Sequence, residues 1–415
     1  MTGPAKARRN SLWTPLSEPL FRGFWTVAVI SYVGTWMQNV GAGWLMTSLT
    51  SSPILIGLVQ AAMSLPVFLV ALPAGALADI VDRRTLLICT QMSLVVISAT
   101  LGVLTLLGLV GPPILLGFTF LLGIGTVIND PAWQAITLEI VSPPQLAPAV
   151  AVCSAAFNLA RAVGPALGGL IIALAGTGTA FLINSASFLG VIVFLYRWKR
   201  QPVQPLVAKE HVLGAMRSGM LYLRKDPAMR AVLLRTGIFS VAASALWSML
   251  PLIARSFGSL GYGSMLSCFG VGALCGASAL ARLRYRLSAD AMIAAGTVSF
   301  AVATFFLGRL HSLPLLCGFL FFAGLGWIVV VANLNVATQT ISPSWVRARA
   351  LSMYVLVLQG GLAAGSVLWG VIAYHSSIYT ALAIAAAILA LGLAAARAYP
   401  VRIPQLHAEP PVTTL

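Results

Sequence analysis

The sequence predicts an all-α polytopic membrane protein with twelve transmembrane helices in two pseudo-symmetric six-helix bundles. Three observations predict it. Charged residues make up 8 % of the 415-residue chain and hydrophobic ones 59 %, which is too little polar surface for a soluble domain of this size but suits one bathed in lipid. Apolar runs of bilayer length recur twelve times. The second half of the chain repeats landmarks of the first at a near-constant offset.

A helix needs about 20 apolar residues to cross the hydrocarbon core. On that length the first six spans fall at 23–48, 54–78, 86–110, 113–138, 147–173 and 176–196. The second six fall at 230–254, 259–281, 289–309, 312–339, 349–374 and 377–397. The chain thus divides into a tail (1–22), a first bundle (23–197), a linker (198–229), a second bundle (230–398) and a closing tail (399–415). In the linker, Leu213, Met216, Met220 and Leu223 recur at helical spacing opposite Arg217, Arg224 and Lys225. That pattern fits an amphipathic helix lying on the membrane surface, the alternative being a solvated linker. The first apolar run, after Arg22, is too long for the core of a cleavable signal peptide.

Orientation follows from the basic residues. Arg161 falls within a span and Arg255 and Arg309 in loops on one side, while the rest of the 25 Lys and Arg fall on the other side or in the tails. This is the positive-inside pattern, so both termini are expected in the cytoplasm, as in a multi-pass protein of a bacterial inner membrane. It also accounts for the net charge of +16 without nucleic acid, because no basic cluster sits on a soluble module. The five cysteines all lie in apolar segments with no CxxC, which fits reduced packing residues. GxxxxGK[ST] and HExxH are absent, and the four histidines lack metal-ligand spacing. No cofactor, no metal and no ATP-driven step within this chain is expected, and an enzyme is a remote reading, as is a sensor.

The internal repeat has a shift of about 200 residues. Gly75-Ala76-Leu77-Ala78 followed by Arg83 aligns with Gly276-Ala277-Ser278-Ala279 followed by Arg284. Val141-Ser142-Pro143 aligns with Ile341-Ser342-Pro343, and the run from Gly164 to Gly169 with that from Gly365 to Gly370. Three matches in one order point to duplication. Parallel six-helix repeats about an axis along the membrane normal place a transport site between the halves.

The stretch GALADIVDRR (75–84) holds four charges in six positions directly after a long apolar run. It resembles the cytoplasmic loop motif of the major facilitator superfamily, G-x-x-x-D-R/K-x-G-x-R/K-R/K. Gly75, Asp79, Arg83 and Arg84 match in kind, with the basic pair one position early, Ile80 where a basic residue is usual and Asp82 near the second glycine. The VDRR ending, FNLARAVGPALGG (157–169) and SPSWVRARALSMY (342–354) are similar to the drug-and-siderophore exporter branch, which contains the enterobactin exporter and macrolide efflux proteins. Gly164, Pro165, Gly168 and Gly169 match the end of the helix-5 antiporter signature, whose earlier glycines are Ala151 and Ala160 here. Small residues there also serve plain helix packing.

The resemblance implies the rest of the candidate site. It pairs Glu139, at the end of the fourth span, with the motif arginine, giving a cytoplasmic cluster of Asp79, Arg83 and Glu139. Asp79 would cap the eleventh helix near Ser344 and latch the outward-open state; the alternative is a solvated loop that sets topology. Asp130 is the acidic residue deep within a span and Arg161 the basic one, and such residues in lipid are functional candidates. Their depths differ by somewhat under 10 Å on helical rise, so they form either a proton-switched pair or a static ion pair. Asp130 before Pro131 also reads as the cap of a broken helix. In this superfamily helices 1, 4, 7 and 10 line the cavity, which here supply Gln38, Asn39, Asn129, Trp133, Ser244, Trp247, Trp327, Asn333 and Asn335, with Asn158 and Gln359 from helices 5 and 11. Aromatic and amide residues around a net-neutral pair suit a bulky aromatic or amphipathic molecule better than a sugar or a strong anion. The expected function is proton-coupled export of such a molecule by a monomer, powered by the proton gradient. A lysophospholipid flippase and a nutrient symporter are the alternatives.

Overall fold

The computed structural model describes residues 13–198 and 226–398, and the expected linker helix around 213–223 lies outside them. The first bundle contains α1 (Pro19–Leu49), α2 (Pro53–Ile80), α3 (Arg83–Leu106) and α4 (Pro112–Ile140). It is completed by the continuous stretch Leu146–Arg197, which Gly176 divides into α5 (146–175) and α6 (177–197). The second bundle contains α7 (Pro227–Ala254), α8 (Gly258–Leu283), α9 (Ala289–Leu307), α10 (Leu313–Ile341), α11 (Arg347–His375) and α12 (Ile378–Ala398).

Local chemistry fixes where these helices begin and turn. Proline stands in the first turn of α1, α2, α4, α7 and α10, where its missing N–H costs nothing. Asp82, Asp226 and Ser288 accept from backbone N–H groups at the starts of α3, α7 and α9. The Asp82 cap makes α3 begin earlier than hydropathy alone indicates. Gly176 and Gly258 adopt φ of 82° and 72°, a left-handed geometry that glycine enters without penalty, and there the chain reverses from α5 to α6 and from α7 to α8.

Eight segments among the described residues are long and apolar enough to cross a membrane. Two of them, of 55 and 54 residues, contain the reversals at Gly176 and Gly258 and so cross twice. α1 and α12 flank these segments; α1 is diluted by glycines and by Gln38-Asn39, and the apolar part of α12 is shorter. Large apolar side chains such as Val96, Leu174, Val193 and Leu391 stand on the outer surface, a surface that lipid tolerates and water does not. With backbone bonds closed within each helix, the spans meet the demand of a medium without hydrogen-bonding partners.

Helix pairing repeats between the halves. α1 packs on α5 and α2 on α4, as α7 packs on α11 and α8 on α10. The bundles meet through α5 against α8 and α2 against α11, the same pair of elements used twice. The face that carries the start of α1 and the α2–α3 turn is called the N face below, and the other the distal face.

The two interiors differ. Most of the second bundle's interior belongs to one large apolar cluster running from Val232 through Phe300 and Leu320 to Leu389. It also takes in Val40, Ile172 and Ala180 of the first bundle, with two small groups around Met229 and Met292 beside it. The first bundle has two, one around Phe21, Phe24, Leu87 and Leu195 toward the N face and one around Met46, Ile56, Leu101 and Phe181 toward the distal face. Between them lies a polar layer. Gln38 Oε1 on α1 accepts from Ser98 Oγ on α3 at 2.8 Å and from Asn184 Nδ2 on α6. Asn129 Oδ1 on α4 accepts from Gln91 Nε2 on α3 at 3.1 Å.

Candidate substrate cavity and gates

At the N face the charged stretch after α2 acts as three separate fasteners. Asp82 caps α3 by accepting from Thr85 N at 2.9 Å. Arg83 Nη1 donates to Glu139 Oε1 on α4 at 3.1 Å, and that carboxylate side chain is only 8 % accessible. Arg84 donates from Nε to the Leu195 carbonyl at 2.9 Å and from Nη2 to the Tyr196 carbonyl at 3.1 Å, which sets a cation at the negative end of α6. Arg83 and Glu139 therefore meet, while Arg84 serves another helix. Asp79 lies in the last turn of α2, and its side chain falls outside the described set. Gly75 has open space where a side chain would be. Ile80 is 82 % exposed, which suits the lipid or headgroup boundary, so a basic residue is not needed there to complete a contact.

At the distal half the bundles are sealed by bare backbone. A methyl at Gly169 would stand 2.5 Å from the Ser259 carbonyl oxygen, and one at Gly263 2.5 Å from that of Pro165. On the other side of the interface, a methyl at Gly57 would stand 2.6 Å from the Ser366 carbonyl oxygen, and one at Gly370 3.0 Å from Pro53 O. Gly164 and Gly168 turn the other way and let α1 approach, with Trp36 Cβ and Met37 Cα at 2.6 and 3.0 Å from the missing methyls. The close glycine contacts of this interface described above lie on the distal side of the cavity or level with it, where small residues replace interlocking side chains.

Between these seals and the N face lies a central cavity of about 320 Å³, at the small end of the range for small-molecule sites. Both halves wall it with aromatics: Trp36 and Phe157 from one, Trp247, Tyr262 and Trp327 from the other. Trp247 and Trp327 meet edge to face at 5.8 Å, and Trp36 and Phe157 lie 6.2 Å apart. Asn39, Gln60, Ser64 and Gln359 add polar groups, and Arg161 adds a charge. A second cavity of about 160 Å³ opens inside the first bundle, lined by Thr35, Gln38, Asn39, Thr126, Asp130 and Asn184 among others. Asn39 and Met63 border both cavities.

Several expected residues stand elsewhere. Asp130 and Arg161 do not form an ion pair: Arg161 Nη2 donates to Asn158 Oδ1 at 3.2 Å, and Asp130 lines the side cavity. α4 runs unbroken through Pro131, so Asp130 caps no break. Asn129 bonds to α3, and Trp133 stacks on Phe24 with ring centres 4.7 Å apart. Ser244 is buried against Gly365 on α11 and donates to the Val241 carbonyl. Asn333 is fully buried and donates to Val329 O of its own helix, and Asn335 accepts from Gln339. Asn158 Nδ2 donates to Ser154 O, and the residue reaches the cavity only through Arg161. Of the expected amide and aromatic set, Asn39, Trp247, Trp327 and Gln359 line the central cavity, and Gln38 with Asn39 the side one. Knowing which helices face a cavity does not tell which 100° sector of each does so. Gln60 and Ser64 were legible, because a polar pair four residues apart in the apolar α2 marks one face; Gln60 Nε2 donates to Ser64 Oγ at 3.1 Å.

A second ion pair stands on the second bundle: Arg235, one of the basic residues assigned to the cytoplasmic side, is buried in α7 and donates to Asp290 in the first turn of α9.

A family model described as transmembrane secretion effector matches residues 10–413. The staphyloferrin A transporter of Staphylococcus aureus is 28 % identical over 174 residues, covering 41 % of this chain and 44 % of that protein. The multidrug efflux pump Tap of Mycolicibacterium fortuitum is 26 % identical over 385 residues, covering 89 % of this chain and 93 % of Tap. The enterobactin exporter EntS of Shigella boydii is 24 % identical over 368 residues, 85 % of each chain. Among solved structures, the nucleoside transporter NupG superposes with a TM-score of 0.74 at 13 % identity, covering 92 % of this chain and 99 % of that one.

Proposed function

Given that the chain belongs to the transmembrane secretion effector family of the major facilitator superfamily, we propose that it is a proton-coupled exporter of small aromatic or amphipathic molecules, working by alternating access in a bacterial inner membrane. The observation that carries this reading is the aromatic cavity walled by both bundles. A site shared by two rigid halves changes its exposure whenever the halves rock. The basic N face is the cytoplasmic one under the positive-inside rule. With the glycine seals on the distal half, the described conformation is then the one that receives substrate from the cytoplasm. Each chain holds both halves of its cavity, so a monomer suffices.

Asp130 is the carboxylate placed to couple protons. It lies on a chamber that adjoins the substrate cavity at Asn39 and Met63, and it makes no ion pair with any described residue. Protonation removes the cost of moving a charge into a closed, low-dielectric state.

Everted membrane vesicles test the reading. An imposed inward-acidic pH gradient should be partly collapsed when an exported aromatic compound is added, and should stay intact in vesicles without the protein. No response across a broad panel of siderophores and aromatic drugs would sink the antiport reading. Substrate entry together with protons into right-side-out vesicles would identify a symporter instead.

A further inference from the structure

We propose that the central cavity selects amphipathic organic anions, an aromatic body carrying one carboxylate-type group, with Arg161 as the anion-binding residue. This rests on the reading of that cavity as the substrate site. Among the described residues that line it, Arg161 is charged and none is acidic. The carboxylate expected to neutralise it, Asp130, lines the separate side cavity instead, so a compensating charge must come from elsewhere.

The guanidinium is also unfinished. Its Nη2 donates to Asn158 Oδ1 at 3.2 Å, whereas Nε is buried without any partner. Nε–H and the adjacent Nη–H of a guanidinium form a planar fork that matches the two oxygens of a carboxylate. Asn158 is itself held by its bond to Ser154 O, which fixes the rotamer and leaves the Nε edge for a ligand. A lone cation at mid-membrane is costly, and a bound anion relieves that cost whereas a bound cation increases it. Around the charge, Trp36, Phe157, Trp247 and Trp327 offer ring faces, and the aromatic part of the ligand would lie there. An ammonium-bearing drug could stack on the same rings but would face Arg161 at short range with no carboxylate to offset it.

The test uses three probes of one shape: 2-naphthoate, 2-naphthamide and 2-naphthylmethylammonium. Each is titrated by calorimetry into the full-length protein in lipid nanodiscs, with empty nanodiscs as blank. The expected order is naphthoate tightest, by about 10-fold over the neutral amide, as one charge-assisted hydrogen-bonded contact predicts, and the ammonium weakest. Arg161→Gln should bring naphthoate to the affinity of the amide and leave the amide unchanged. Ammonium binding as tight as naphthoate in the unsubstituted protein overturns the anion reading by itself, even if Arg161→Gln fails to fold. Undiminished naphthoate preference in a folded Arg161→Gln does the same. If no probe binds, whatever its charge, the cavity is not the substrate site and both readings fall.

Discussion

Gly169 of α5 and Gly263 of α8 meet backbone to backbone, with the Gly263 Cα 3.0 Å from where a methyl on Gly169 would sit. A side chain at either position has no space to enter unless the bundles part. Gly263→Val should therefore open the distal seal, because overpacking a close contact costs about 1–3 kcal/mol. In a background with the native cysteines replaced by serine, a reporter Asn39→Cys in the cavity should react faster with a membrane-impermeant maleimide added from the distal side. Unchanged labelling would show that this contact does not hold the face closed.

Arg83 and Glu139 should matter little for stability and more for transport. The arginine is 37 % accessible, so solvent screens the pair and Arg83→Ala should cost at most about 1 kcal/mol. Thermal unfolding should shift by no more than a few degrees. If the pair serves the transport cycle, Arg83→Glu should impair efflux and the exchanged pair Arg83→Glu with Glu139→Arg should restore part of it. Full efflux by both single charge reversals would reduce the pair to a topological feature.

The Gln38 carbonyl oxygen joins α1, α3 and α6 through Ser98 and Asn184. Gln38→Leu removes the acceptor and strands the Asn184 amide N–H in the polar layer of the first bundle, whereas Ser98 keeps the Phe181 carbonyl as acceptor at 2.9 Å. Interhelical bonds of this kind contribute about 0.6 kcal/mol on average and up to about 1.7, so the melting temperature should fall measurably. Asn184→Leu in the same background should add less than it does alone, since the two residues share one network. Additive losses would mean that the amides act separately.

Asp130→Asn should uncouple transport without abolishing binding. Counterflow exchange of a substrate across vesicles at equal pH should persist, while uphill accumulation driven by a pH gradient should fall by an order of magnitude or more. Gradient-driven accumulation at the original rate would remove Asp130 from the coupling role.

The helix layout was readable because span length, turn residues and basic loops are one-dimensional signals. Twelve runs and the repeat of Gly164–Gly169 at Gly365–Gly370 lie in the chain order, whereas the caps at Asp82 and Asp226 emerge from the structure. The cavity was less readable, since it depends on the azimuth of each side chain around its helix. Asn129 sits on α4, which lines only the side cavity, and Ser244 on α7 points away from the central one, whereas Gln60 on α2 and Tyr262 on α8 point into it. The separation of Asp130 from Arg161 could not be read from depth at all. Two residues at similar height in adjacent spans face each other only if their sectors coincide, and here Arg161 faces the interface while Asp130 faces the interior of its own bundle.

The glycine contacts occur twice, α5 on α8 and α2 on α11, with the aromatic cavity between them. Two smooth bearings define an axle, and a rigid body held along an axle keeps one rotation and little else. If the bundles move as rigid bodies, widening at the N face must then accompany narrowing at the distal face. Spin-label distances across the two faces should change in opposite senses, and a state with both widened would break this picture. Exclusion of a continuous leak would then be a property of the linkage itself, with charged residues at the N face adjusting how long each tilt lasts.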